Sequence, residues 1–224
     1  MNKEKVKSNV CQIEYCDRPT HKESEYCIFH ASAEEKTEEE FKEALKKYIE
    51  EIKKEDKDYK FGRFIFIGDI NFKEDLNITI FNHADFRVTT FEGNARFGGV
   101  TFKKYADFSW ATFKGGALFF DAIFEGGAVF SDAIFESVAF FKGATFREYA
   151  SFKGSSFLRC VSFEGVKLLP GNKLIFEVKN DIVENYLRDR VSFSGAYLED
   201  AYLDIRLAIG VLTVSYTHLT LPTN

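Results

Sequence analysis

The sequence lacks long apolar runs. Before the last dozen residues no stretch of about 18 residues is free of charge, which excludes a membrane-spanning helix there. No apolar segment follows the charged opening MNKEKVKSNV, so no signal peptide is visible and a cytoplasmic location is expected. Neither sign of charge dominates: 30 Lys and Arg stand against 35 Asp and Glu, a formal net charge of −5. That balance fits neither a polybasic nucleic-acid binder nor a polyacidic tail. Histidine is scarce. Before the last dozen residues only His21, His30 and His83 occur, and no nucleophile–base constellation forms around them. No glycine-rich phosphate loop is present either, so no residue is assigned as catalytic. Cysteine is scarce too, with 4 in the chain, but Cys11, Cys16 and Cys27 fall close together. In a chain without an export signal, such clustering suits a metal site better than a disulfide framework.

What is abundant is phenylalanine: 26 residues, against 1 Trp, 1 Met and 3 Pro in a chain of 224. That richness excludes disorder, and the length suits one full domain with a small accessory one. The Phe residues are periodic. Phe86, Phe91, Phe97, Phe102, Phe108, Phe113, Phe119, Phe124, Phe130, Phe135, Phe141, Phe146, Phe152, Phe157 and Phe163 are spaced alternately by 5 and 6. A small side chain stands two positions before each, as in Ala84, Ala95, Ala106 and Ala117, with Thr89, Val100, Ser155 and Val161 in other slots. Gly follows many of the Phe residues, as in Phe113-Lys114-Gly115.

A helix cannot use this pattern, because each Gly costs ~1 kcal/mol there. A hairpin meander needs strands of about 4–8 residues. A chain that turns a corner every five or six residues fits. Phe and the small residue then point inward, and coils stack ~4.8 Å apart. Modules such as Ala84-Asp85-Phe86, Ala106-Asp107-Phe108 and Ala196-Tyr197-Leu198 resemble the pentapeptide-repeat family. The resemblance implies an all-β fold, a right-handed quadrilateral β-helix, with four modules per coil. Here every second module carries an extra residue, so a coil should hold 22 residues, with the extra residue bulging at two opposite corners. The regular ladder, 81–168, should make four coils. Cys160 reads as a small structural residue near a corner, and His83 as exposed beside one.

The rod is flanked on both sides. Residues 1–32 are expected to form a zinc-knuckle-like module, and 33–60 an amphipathic capping helix and linker. The repeat domain is expected over 61–212, with an irregular first coil over 61–80. An irregular insertion covers 169–190, including a short helix over 180–190, and repeats resume over 191–205 at Phe193, Leu198 and Leu203. The helix runs from a capping box, Thr37 with Glu40, to about Asp56. Its stripe of Phe41, Leu45, Tyr48, Ile49 and Ile52 should pack on the N-terminal end of the rod. Residues 213–224, TVSYTHLTLPTN, resemble the translation of a sequencing-library adapter, so the natural protein is expected to be truncated near Leu212.

Cys11-x4-Cys16-x10-Cys27-x2-His30 has the spacing of a small zinc-binding knuckle, with His21 as a weaker alternative ligand. Four N/S ligands close a tetrahedron around structural Zn²⁺ and leave no open position for catalysis. The metal would supply folding free energy that so short a segment cannot obtain from an apolar core. Asp17, Arg18 and Lys22 leave the knuckle's charge mixed, with no basic patch for nucleic acid.

The function expected is a non-enzymatic protein-interaction or scaffold module with an unknown protein partner and no small-molecule substrate. Nucleic acid is disfavoured, and oligomerisation is left open. One alternative is a DNA mimic that binds topoisomerases, as in some members of the family. The ladder carries 10 Lys and Arg against 9 Asp and Glu over 81–168, whereas a mimic needs strong negative charge. The other alternative is a cytosolic sensor or assembly domain of a longer membrane protein whose C-terminus is missing.

Overall fold

A computed structural model describes residues 9–55, 57–178, 191–192, 196 and 202–207. The repeat winds into a β-solenoid of about five turns. Its two-residue strands stack into four parallel sheets, one for each face. One coil shows the plan: Ala106–Asp107, Thr112–Phe113, Ala117–Leu118 and Ile123–Phe124 lie on the four faces in turn. Ala106 pairs with Ala128, Thr112 with Ile134, Ala117 with Ala139 and Ile123 with Thr145, so each regular coil holds 22 residues. The architecture is consistent with the pentapeptide repeat.

The interior is a set of Phe columns. The ring of Phe119 stacks on Phe97 at 4.7 Å and on Phe141 at 4.9 Å. Neighbouring columns meet edge to face, as Phe108 meets Phe119 at 5.5 Å and 89°, the arrangement that the ring quadrupole favours. The small residues fill the space beside the rings. Ala106, Ala117, Ala128 and Ala139 are fully buried. Two polar members of the small column find backbone acceptors: the Thr89 hydroxyl donates to the Phe61 carbonyl at 2.8 Å and Ser155 to that of Phe130 at 2.7 Å. Burying a hydroxyl without such a partner would be costly.

The alternating spacing produces two kinds of corner, each kind at opposite positions. Where Phe residues are five apart, the chain makes a tight turn, as in the bond from Thr89 N–H to the Phe86 carbonyl. The third residue of that turn takes a positive φ, as a type II turn requires. Gly99, Asp121, Gly143 and Gly165 supply it on one edge of the rod; Val88, Trp110, Asp132 and Gly154 do so on the other. Where the spacing is six, the extra residue widens the corner. There Gly115 lets successive coils touch: a Cβ on it would lie 2.4 Å from the Gly93 carbonyl carbon.

The ends depart from regularity. The first coil is longer, and Tyr59 pairs with Ala84, 25 positions on. The added residues lie between Asn71 and Ile80 and bury Leu76 and Ile78. After Leu169-Pro170-Gly171 the solenoid continues. The strand Lys173–Val178 pairs with the first face, Leu174 opposite Ala150, 24 positions on. Phe176 enters the core against Phe157 at 5.5 Å. Leu203 lies opposite Leu174 in the strand Tyr202–Leu207. Phe193, Leu198, the 180–190 segment and the 213–224 tail fall outside the described residues. His83 is half-buried near Tyr105, with ring centroids 6.1 Å apart, rather than fully exposed as the sequence suggested. Cys160 is also half-buried.

Helix α1 spans Glu38–Glu55. Thr37 N–H donates to the Glu40 carboxylate at 3.0 Å, and Glu40 N–H donates back to the Thr37 hydroxyl at 3.3 Å. Phe41, Leu45, Ile49 and Ile52 are buried, while Tyr48 is half-buried and donates its hydroxyl to the Lys60 carbonyl at 2.9 Å. Phe41 meets Phe66 edge on at 5.4 Å, so the stripe closes the N-terminal end of the rod. Lys53 anchors the other end of α1 by donating to the Leu76 and Asn77 carbonyls of the first coil. No helix among the described residues is long and apolar enough to cross a membrane.

Candidate metal centre

The N-terminal module is built from two short loops. An isolated bridge between Val10 and Pro19 closes the first, with Cys11 N–H bonded to the Arg18 carbonyl at 2.9 Å. Tyr15, at φ 65°, turns the chain so that Cys16 comes back beside Cys11. The second loop is a single helical turn in which the Cys27 carbonyl accepts from both His30 and Ala31 N–H. Its three-residue spacing brings the Cys27 thiol and the His30 imidazole to the same side.

The two loops bring Cys11, Cys16, Cys27 and His30 together, all four donor atoms within 4.8 Å of one another. The His30 Nδ1 lies 3.3 Å from the Cys11 Sγ and 3.2 Å from the Cys27 Sγ, and the Cys16 and Cys27 sulphurs are 3.9 Å apart. A tetrahedral ion with bonds of ~2.3 Å to sulphur and ~2.0 Å to nitrogen needs S–S edges of about 3.8 Å and S–N edges of about 3.5 Å. Those three separations lie within a few tenths of an ångström of that cage and no pair of donors is more than 4.8 Å apart, so the four side chains could bind a metal ion. His21 is not part of it; its Nε2 faces the Glu40 carboxylate at 3.8 Å.

The protonation states suit the role. Burial pushes the His30 pKa down to about 4, although the ring also bonds to the backbone of Gly62. The imidazole is therefore neutral, as a ligand must be. The Gly62 bond raises the pKa, so there the ring donates to the carbonyl, which leaves Nδ1 free to face the thiols. A backbone acceptor of this kind is what orients metal-bound histidines. Burial also pushes the Cys27 thiol up to about 12 despite the nearby Phe29 and His30 N–H groups. With no metal the Cys27 thiol stays protonated, and binding must displace its proton.

The module docks on the rod through groups to which the sequence reading gave no such role. Phe29 stacks on Phe64 of the first coil at 4.5 Å, and its carbonyl accepts from Ile65 N–H at 2.8 Å. The Lys36 ammonium is buried and donates to the Ile28 carbonyl at 3.0 Å and the Ile65 carbonyl at 2.6 Å, joining module to coil. Burial lowers its pKa to about 8. Arg18 lies over Tyr48, Phe29 and Phe64 with its Nη1 3.8 Å from the Cys16 Sγ. Burial opposes its charge, but Tyr48 and the Cys16 and Cys27 thiols outweigh burial and raise its pKa. Apart from Cys16 beside Arg18 and Ile28 near Lys36, these partners are far apart in sequence, so spacing carried no signal for them.

Comparison with known proteins finds no matching family model, no matching curated protein and no matching solved structure.

Proposed function

We propose that this chain is a non-enzymatic protein-interaction scaffold. It is a Phe-packed rod of the pentapeptide-repeat type, with its N-terminal end closed by a structural Zn²⁺ on Cys11, Cys16, Cys27 and His30. The observation that carries the reading is the convergence of four N/S donors against the first coil. Three thiolates and an imidazole favour zinc among common divalent ions, and four protein ligands leave no position for substrate. Such a metal acts on stability: it binds the folded cap and not the open chain.

The surface chemistry supports an interaction role over mimicry of DNA. Two columns of outward residues alternate in sign from coil to coil. Glu92 pairs with Lys114 at 2.9 Å, and Glu125 pairs with Lys103 at 3.3 Å and Arg147 at 3.7 Å. A duplex mimic needs a continuous negative surface.

Metal analysis of the purified whole chain tests the site. About one equivalent of zinc is expected, lost on Cys16→Ser together with part of the thermal stability. Well under one equivalent with all thiols reduced rejects it. The scaffold reading predicts a protein partner whose binding falls on charge reversal in an outward column, such as Glu125→Lys, while the fold is retained. Inhibition of DNA supercoiling by the purified protein would favour mimicry instead.

A further inference from the structure

We infer that Arg18 is the counter-charge that sets the metal affinity of the Cys11–Cys16–Cys27–His30 centre and couples that metal to the cap of the solenoid. The inference rests on the metal reading above. Three thiolates, a neutral imidazole and a dication sum to one negative charge. Partly buried charge is costly unless it is paired.

Arg18 is placed to be that pair. Its Nη1 lies 3.8 Å from the Cys16 Sγ. Its guanidinium carbon lies 4.8 Å from the Tyr48 ring centre, 5.1 Å from Phe29 and 5.6 Å from Phe64. Those rings belong to α1, the metal module and the first coil, so one guanidinium touches all three parts of the cap. Among the described residues no carboxylate lies within ion-pair distance of Arg18. Lys36 also stands near Cys27, but its ammonium is taken up by the Ile28 and Ile65 carbonyls. The half-buried Arg18 charge is surrounded by three ring faces and the Cys16 sulphur. A metal bound through thiolates would place its net negative charge beside that guanidinium, and the charge would be matched. The gain is mutual: Arg18 tightens metal binding, and bound metal holds Arg18 on its three rings.

The test uses the full chain with Arg18→Met, which keeps length and apolar packing, and Arg18→Lys, which keeps charge. Zinc affinity is read by competition with a chromophoric chelator. Stability is read by urea unfolding, once with excess Zn²⁺ and once with EDTA. Arg18→Met is expected to weaken zinc binding by roughly 10–100-fold. It should be less stable than the parent with Zn²⁺, and equal to it or more stable in EDTA. Arg18→Lys should recover part of the affinity. An affinity for zinc unchanged within about twofold, or an equal loss of stability in both conditions, overturns the inference and leaves Arg18 as packing. If Arg18→Met does not fold, Arg18→Gln gives the same comparison. A parent chain that binds no zinc rejects the metal reading itself, a separate result.

Discussion

The ring of Phe29 lies 4.5 Å from that of Phe64 and within 5° of parallel. That is the geometry of the Phe columns inside the rod, although Phe29 belongs to the metal module. It adds one more rung above the first coil, and Ile65 N–H bonds to its carbonyl much as strands bond between coils. The module thus continues the solenoid's own packing across its open end, and solenoids need such capping.

Phe29→Ala should therefore behave as a core truncation. It should cost about 3–5 kcal/mol, and amide exchange should accelerate first in the first coil. Exchange unchanged around Ile65 and Phe66 would show that the module sits on the rod without closing it.

Within the rod, the columns limit size in both directions. Phe119→Ala removes a ring held between Phe97 and Phe141 and should cost about 3–5 kcal/mol. Ala117→Leu forces a branched side chain into a fully buried slot and should cost at least 1–3 kcal/mol. Urea unfolding of both variants checks the pair. Tolerance of Ala117→Leu would mean that the small column is not packed as described.

The corners make an opposite pair of predictions. Val88 is β-branched and held at φ 59°. Left-handed backbone costs such a residue about 1–2 kcal/mol, while glycine loses about 0.4–1 kcal/mol through the unfolded chain. Val88→Gly should thus stabilise by roughly 0.5–1 kcal/mol. Gly115→Ala should destabilise by about 1–3 kcal/mol, because its Cβ would meet the Gly93 backbone. Melting temperatures moving the other way would refute the assignment of the two corner types.

Acid should weaken the cap through Glu40. Its hydrogen bond to Lys22, and then those within the Thr37 capping box, hold its pKa at about 2 against an ordinary 4.5. A depressed folded pKa contributes stability above the unfolded value and loses it as pH falls through the folded one. The melting temperature of the parent should thus exceed that of Glu40→Gln at pH 6, with the gap closing between about pH 4.5 and 2. A gap that persists at the acid end would show that the variant perturbs packing rather than charge.

Much of this was legible in the residues themselves. The alternating Phe spacing specified a coil of 22 residues with two opposite wide corners, because each inward side chain must meet its counterpart one coil away. The stripe of α1 and the Thr37–Glu40 box were readable because helix contacts repeat locally. The four residues whose N and S atoms converge were visible from spacing, since loops of that size can bring such groups together. Phe176 escaped because Leu174 stands where the pattern has a small residue and the step from Phe152 is two residues too long.

Sequence alone therefore determined the period, the inward columns and the donor set, all of which depend on short-range spacing along the chain. Only the tertiary structure decided what closes the rod. Phe29 on Phe64, Lys36 between Ile28 and Ile65, His30 bonded to Gly62 and Arg18 over three rings join segments far apart in sequence. Such contacts have no period, and they exist only once α1 and the first coil have brought their surfaces together.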